Sequence, residues 1–316
     1  MKIALLILKL TITASLCAWL YTRVDFQALQ EGLVRLGAWP MLLGVVLHVL
    51  VVFLSASRWW LLLMHAHVAM PFFKVFPSYY LGVFSNNFLP TGFGGDTVRI
   101  LHMRALGISM KSLVSASVVD RTVGFATIFI VGMFGVLATE ELPIPDHTKM
   151  TLLGFFVGGM LVAAWLLSKR GGQLIGALEK KYRHTRVRGW LLDVLRTCYS
   201  YRAEKKRILL AMAISAGGYA LVILTYHLLG SGLGLDVSIT TYIVTIPAVF
   251  IAASLPISIG GLGIREGTLV GMLVAAGADL HLAITLSLLY LIVFWCSTLP
   301  GALVPLLSRT SKIAPS

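Results

Sequence analysis

Runs of about twenty or more mostly apolar residues recur along this 316-residue chain. They fall at residues 3–21, 41–64, 113–138, 151–168, 208–230 and 282–306. About twenty residues of helix cross the hydrocarbon core of a bilayer. Inside that core the backbone must satisfy its own polar groups, so each run is read as a helix. Only 12% of the residues are charged, about half the share in a soluble domain. Ten-residue stretches of alternating polarity are absent, which argues against a β-barrel. The fold class is therefore an all-α polytopic membrane protein with six full spans. The first run is long for a signal sequence and lacks a small-residue cleavage site, so it reads as a retained span. Leu16 before Cys17 makes a poor lipid-attachment site. The three cysteines, Cys17, Cys198 and Cys296, have no metal or redox spacing.

The net charge of +13 is unevenly placed. Residues 169–207 hold 12 of the 26 basic residues and three acidic ones, a surplus of +9. Such a segment belongs in the cytoplasm and is drawn to anionic lipid, so nucleic acid is not an expected partner. Within it, Trp190, Leu191, Leu192, Val194 and Leu195 suggest a short amphipathic helix on the leaflet surface. Residues 139–150 carry Glu140, Glu141 and Asp146 and suit the outside. Arg104, Lys111, Arg309 and Lys312 then fall inside. Both termini are expected in the cytoplasm, in a bacterial inner membrane. Lys9 and Arg58 read as snorkelling cations, and Trp59 and Trp60 as interfacial anchors.

Two further apolar stretches, 75–106 and 239–278, are interrupted. Their breaks resemble each other at a constant offset, which pairs Pro90 with Pro256 and Arg99 with Arg265. VFSNNFLPTGFGGDTVR (83–99) and VFIAASLPISIGGLGIR (249–265) share seven of 17 positions. The charge-derived topology gives the spans before the two breaks opposite directions. Two inverted repeats follow: residues 1–140 and 151–308, with the basic segment inserted in the second. Each repeat has three spans and one re-entrant helical hairpin, the first opening to the cytoplasm and the second to the outside. Inverted repeats with broken helices are typical of secondary transporters, whose sites lie near the midplane.

Pro90 and Pro256 are expected to end the entering helices. Gly94 and Gly95, and Gly260 and Gly261, are expected to turn the backbone without a Cβ penalty. Unwound backbone must be buried in protein or line a wet cavity. Each restarting helix points its N-terminus there, which favours an anion. Arg99 and Arg265 follow within these helices and offer forks for a phosphate. Asp96 and Glu266 can hold the arginines, bind an ammonium group or take a proton. Asp120 and Arg121 lie inside a span, where ionisable residues generally have a partner or a function. They read first as a structural pair and second as contacts to a headgroup. Salt bridges that only pin the repeats together are the alternative for all six. Asn86 and Asn87 are candidates to satisfy freed backbone groups, with Asn87 also near a headgroup. His65 and His67 read as interfacial. No catalytic residue, metal ligand set, cofactor or nucleotide motif is found.

The motifs NNFLPTGFGGDTVR (86–99), the Asp120–Arg121 pair and SLPISIGGLGIREG (254–267) together resemble the transmembrane flippase domain of the lysylphosphatidylglycerol synthase family. The resemblance runs from the first span to Leu307. It implies translocation of a lipid between leaflets. Two-domain members carry a cytoplasmic aminoacyl transferase. This chain stops at Ser316, so none is expected here, and the cargo is open.

The expected function is a flippase for an anionic, phosphate-bearing lipid. Arg99 and Arg265 would share one polar chamber between the hairpins. The partners are membrane lipids, an anionic phospholipid or a polyprenyl-linked one; a homodimer is compatible with the sequence. Two other readings stand. One is a membrane-embedded transferase or phosphatase, with Asp96 or Glu266 as base and the arginines as clamps. The other is a structural partner in an envelope assembly.

Overall fold

The computed structural model describes residues 26–66, 68, 70–89, 94–138, 146–166, 194, 196–255, 258 and 260–308, with a few positions between 11 and 22. The expected first span, Pro90, Pro256, His67 and most of the basic segment, including most of its expected amphipathic helix, lie outside the described residues.

The described chain is helical. The helices are α1 (Phe26–Leu36), α2 (Ala38–His65), α3 (Phe72–Asn86), α4 (Gly94–Ala105), α5 (Met110–Ala138) and α6 (Asp146–Leu166). After the basic segment come α7 (Lys205–Gly232), α8 (Ile239–Ser254), α9 (Ile264–Ala275) and α10 (Leu280–Thr298). A 3-10 turn and a final helical turn extend α10 to Ser308.

Four helices among the described residues are long and apolar enough to cross a membrane: Ala38–His65, Met110–Ala138, Lys205–Gly232 and Leu280–Leu306. Helix α2, at 28 residues, rises about 42 Å, against a hydrocarbon core of about 30 Å. Its buried residues include Gly44, His48, Val52, Ala56, Trp59 and Leu62, spaced by three and four. That stripe is the protein-facing side. Leu42, Leu50 and Phe53 on other faces are exposed, as a lipid-facing surface requires.

The same order of elements occurs twice. A long helix, two short ones and another long one make α2–α5, and again α7–α10. Helices α3 and α4 have 15 and 12 residues, α8 and α9 have 16 and 12. At a rise of about 1.5 Å per residue, each is too short to cross alone. Gly94 and Ile264 open the second short helices, and Met110 and Leu280 the long ones that follow, both pairs in one register. Both of these short helices close on a left-handed glycine, Gly107 (φ 89°) and Gly277 (φ 88°). In each, an amide just beyond the last helical turn reaches back: Ile108 N–H to Met103 O and Ala278 N–H to Leu273 O. This is the Schellman arrangement, which satisfies carbonyls the helix leaves unpaired. Buried apolar residues form two large clusters, one built from α2–α5 with Tyr201 and Ala211, the other from α7–α10 with Leu36.

The two glycine pairs do different jobs, contrary to the sequence expectation. Gly260 (φ 60°) and Gly261 (φ 77°) turn the chain ahead of α9. Gly94 and Gly95 are already the first residues of α4. What Gly95 permits is close packing: a Cβ there would collide with the carbonyl oxygen of Gly82 on α3. A Cβ on Gly82 would lie 2.6 Å from the Gly95 oxygen. Close backbone approach of this kind is how helices pack where lipid removes the hydrophobic drive. Gly82→Ala should therefore cost about 1–3 kcal/mol as overpacking, seen as a lower thermal transition in detergent. Gly271→Ala, with nothing within 4 Å of the added methyl, should leave that transition unchanged or raised.

Candidate functional site

Helix α5 brings Asp120 against two other helices. Its Oδ1 accepts from Arg58 Nε of α2 at 2.6 Å, and its Oδ2 from Arg99 Nη2 of α4 at 3.1 Å. Arg99 Nη2 also lies 3.1 Å from Asp96 Oδ1. Asp96 Oδ2 in turn accepts from Arg121 Nε at 2.6 Å. Arg58 extends the chain to α7, where Nη1 donates to Ser215 Oγ at 2.5 Å. The order is Arg58, Asp120, Arg99, Asp96, Arg121: three guanidiniums and two carboxylates, alternating, from three helices. Arg99 and Asp120 are buried at 3% and 2% exposure, while Arg121 keeps a third of its side chain exposed.

The sequence makes Asp120 and Arg121 natural candidates for a mutual pair. The structure instead gives them separate partners, because neighbours on a helix point about 100° apart. Arg58 and Trp59 also depart from expectation. Arg58 is bound into the network rather than extended towards an interface. Trp59 is wholly buried, its indole N–H donating to Ser117 Oγ at 3.2 Å. The Arg99 guanidinium sits 4.4 Å from the Trp59 ring and 4.7 Å from that of Tyr79. These are cation–π contacts that partly replace lost hydration. Arg99 Nε is buried with no hydrogen-bond partner among the described residues.

The network forms one end of a chamber of about 280 Å³. Polarity along the chamber is graded, and three helices agree on the direction. On α2 the lining runs from Arg58 through Ser55 to Val51; on α5 from Asp120 through Gly124 to Ile128; on α7 from Ser215 through Gly218 to Val222. The apolar end lies about 10 Å from the charged one. Arg58 is seven residues from the end of α2, and Asp120 and Ser215 are each ten from the starts of α5 and α7. The charged level is thus about 10–15 Å in from the helix ends that border the basic segment.

Arg265 and Glu266 are not on the chamber wall. Glu266 Oε1 accepts from Arg265 Nε at 2.8 Å and Nη2 at 2.6 Å. Glu266 Oε2 accepts from the Gly263 amide at 2.6 Å and so caps α9. The chamber holds Arg99, Asp96, Asp120 and Arg121 with the unforeseen Arg58, but Arg265 lies outside it, so the two arginines do not share one chamber as expected. The reason is local. Arg265 is the second residue of α9 and folds back on its neighbour; Arg99 is the sixth residue of α4 and reaches across to α5. The register that pairs Gly94 with Ile264 also places Tyr290 where the first run has Asp120, and Phe294 where it has Gly124. Rings fill on one side the space that a guanidinium and a carboxylate occupy on the other.

The asparagines hold the helix breaks. Asn86 Oδ1 accepts from the Gly95 amide at 3.3 Å. Asn87 Nδ2 donates to Thr298 Oγ1 at 2.9 Å, which ties the end of α3 to the end of α10 rather than facing the chamber network. The two breaks also touch: a Cβ on Gly260 would lie 3.2 Å from the Asn86 carbonyl oxygen.

Long apolar helices, paired short helices that cannot cross alone and a buried cationic chamber define a multi-pass membrane protein with an internal polar site. The chain belongs to the family described as "Lysylphosphatidylglycerol synthase TM region", whose model matches residues 6–301. It is similar to the UPF0104 membrane protein PH1989 of Pyrococcus horikoshii, with 22% identity over 340 residues, covering all of this chain and 99% of the relative.

Proposed function

We propose that this protein moves an anionic, phosphate-bearing lipid or lipid-linked precursor between leaflets. The observation that carries the reading is the chamber: net-positive at one level, apolar two turns away, and walled by α2, α5 and α7 together. Three guanidiniums against two carboxylates leave one positive charge for a ligand, and Arg99 Nε is an unused donor. A phosphate is the acceptor such donors favour. The apolar end suits the first carbons of a lipid tail. The family description names a phosphatidylglycerol-derived lipid, which also carries a phosphate.

On this reading the two runs of elements act as inverted repeats. The pairs α3–α4 and α8–α9 enter and leave from opposite faces of an inner membrane, and both termini are cytoplasmic. Alternating access comes from one run shifting against the other. The test is a vesicle assay with labelled lipids. Reconstituted protein should move labelled phosphatidylglycerol at least tenfold faster than labelled phosphatidylcholine. Equal rates for the two would overturn the reading.

A further inference from the structure

Arg265 is a second guanidinium, partly buried with 13% of its side chain exposed, and it lies outside the chamber. The residue between is Phe294 of α10. Phe294 lines the chamber, and the Arg265 guanidinium lies over its ring at 5.0 Å. We propose that the Phe294 ring is a movable partition between two guanidinium stations, the net-positive Arg58–Arg99–Arg121 cluster and the Glu266-paired Arg265, across which the lipid phosphate passes. The proposal rests on the transport reading and adds a route to it.

Three features fit a partition better than a wall. First, Phe294 is only partly buried, whereas neighbouring rings are locked: Tyr290 is 2% exposed and stacks on Tyr226 with centroids 3.8 Å apart. Second, the ring packs against the apolar core of the second run, but its two polar neighbours are weakly held to it. His48 meets it edge-on at 5.2 Å and Arg265 through a cation–π contact. A phosphate arriving at Arg265 offers a charge-assisted hydrogen bond, the stronger interaction, and so displaces the ring. Third, Arg265 uses Nε and Nη2 on Glu266, so it can take a phosphate through Nη1 without giving up Glu266.

Position supports the same view. The register counterpart of Phe294 is Gly124, where an added Cβ would lie 3.5 Å from Arg58 Nη1. In the first run that spot is open and the guanidinium fills it. In the second a ring covers the approach to the cation.

The test plugs the partition after folding. In a protein with Cys17, Cys198 and Cys296 changed to serine, Phe294→Cys is reconstituted in vesicles of phosphatidylcholine and phosphatidylglycerol. With the ring removed from the partition, labelled phosphatidylglycerol should cross faster than in the parent. Alkylation with a bulky maleimide should then cut the rate at least tenfold, while phosphatidylglycerol retained by the protein stays within twofold. Phe294→Trp repeats the test by size alone should the cysteine variant not assemble. An unchanged rate after alkylation, or loss of retained lipid along with rate, would overturn the partition. Arg99→Gln protein that still moves lipid at the wild-type rate would instead reject the transport site.

Discussion

Asp120→Ala should destabilise the protein by about 3–5 kcal/mol, the cost of removing one partner from a buried ion pair. Asp120 holds two guanidiniums, each from a helix other than its own, at 2.6 and 3.1 Å. Without it, Arg58 keeps Ser215 Oγ and Arg99 keeps Asp96. Three positive charges then face one negative charge in a site with little access to water. The same carboxylate also fixes α2 and α4 against α5, so the loss falls on the whole first run. The change is measured as the shift in thermal transition of detergent-solubilised protein. Asp120→Asn, which keeps the volume and one acceptor oxygen, should recover part of the loss.

Arg99→Gln should do the opposite: spare the fold and remove the activity. Each carboxylate of the network keeps a guanidinium after this change, Asp120 with Arg58 and Asp96 with Arg121. The network loses Arg99 Nε, its unpartnered buried donor among the described residues, along with its surplus positive charge, so its preference for an anion goes. One guanidinium contact to a phosphate is worth about 1.5–3 kcal/mol. That corresponds to roughly a ten- to hundredfold loss in transport of labelled phosphatidylglycerol. The contrast between the two substitutions separates a structural salt-bridge cluster from a ligand site. A cluster that only pins helices would lose stability in both cases and transport only in proportion.

Much of the helical framework was legible in the sequence. Long apolar runs gave α2, α5, α7 and, counted with its extension to Ser308, α10 with ends within three residues, because length and apolarity alone decide which segments lipid accepts. The breaks after α3 and α8 were visible as proline and glycine. Their register was not. Gly94 pairs with Gly260 in the sequence match but with Ile264 in the order of helices, one helical turn further on. Glycine identity records that a Cβ is unwelcome but not why. At Gly95 the reason is the Gly82 carbonyl, and at Gly260 it is a positive φ.

The site was half legible. Asp96, Arg99, Asp120 and Arg121 stood out because charge within apolar sequence is costly. Arg58 reads as a snorkelling cation instead, because a basic residue near a span end ordinarily reaches for the interface. A signal for it existed: Ser55 and Arg58 are three apart on one face of α2, and Trp59 follows on a buried stripe. The separation of Arg265 from the chamber could not be read at all. It depends on which way a side chain folds from the second residue of a helix, and on the bulk of Phe294 from a distant one.

Transport through this chamber requires an anionic headgroup seated against the Arg58–Arg99–Arg121 cluster. Native mass spectrometry of lipids retained by protein taken from equimolar phosphatidylglycerol and phosphatidylcholine tests this directly. Wild-type protein should hold phosphatidylglycerol in clear preference, and Arg99→Gln should lose that preference while remaining folded. Equal retention of the two lipids by the wild type, or an undiminished preference in Arg99→Gln, would contradict it.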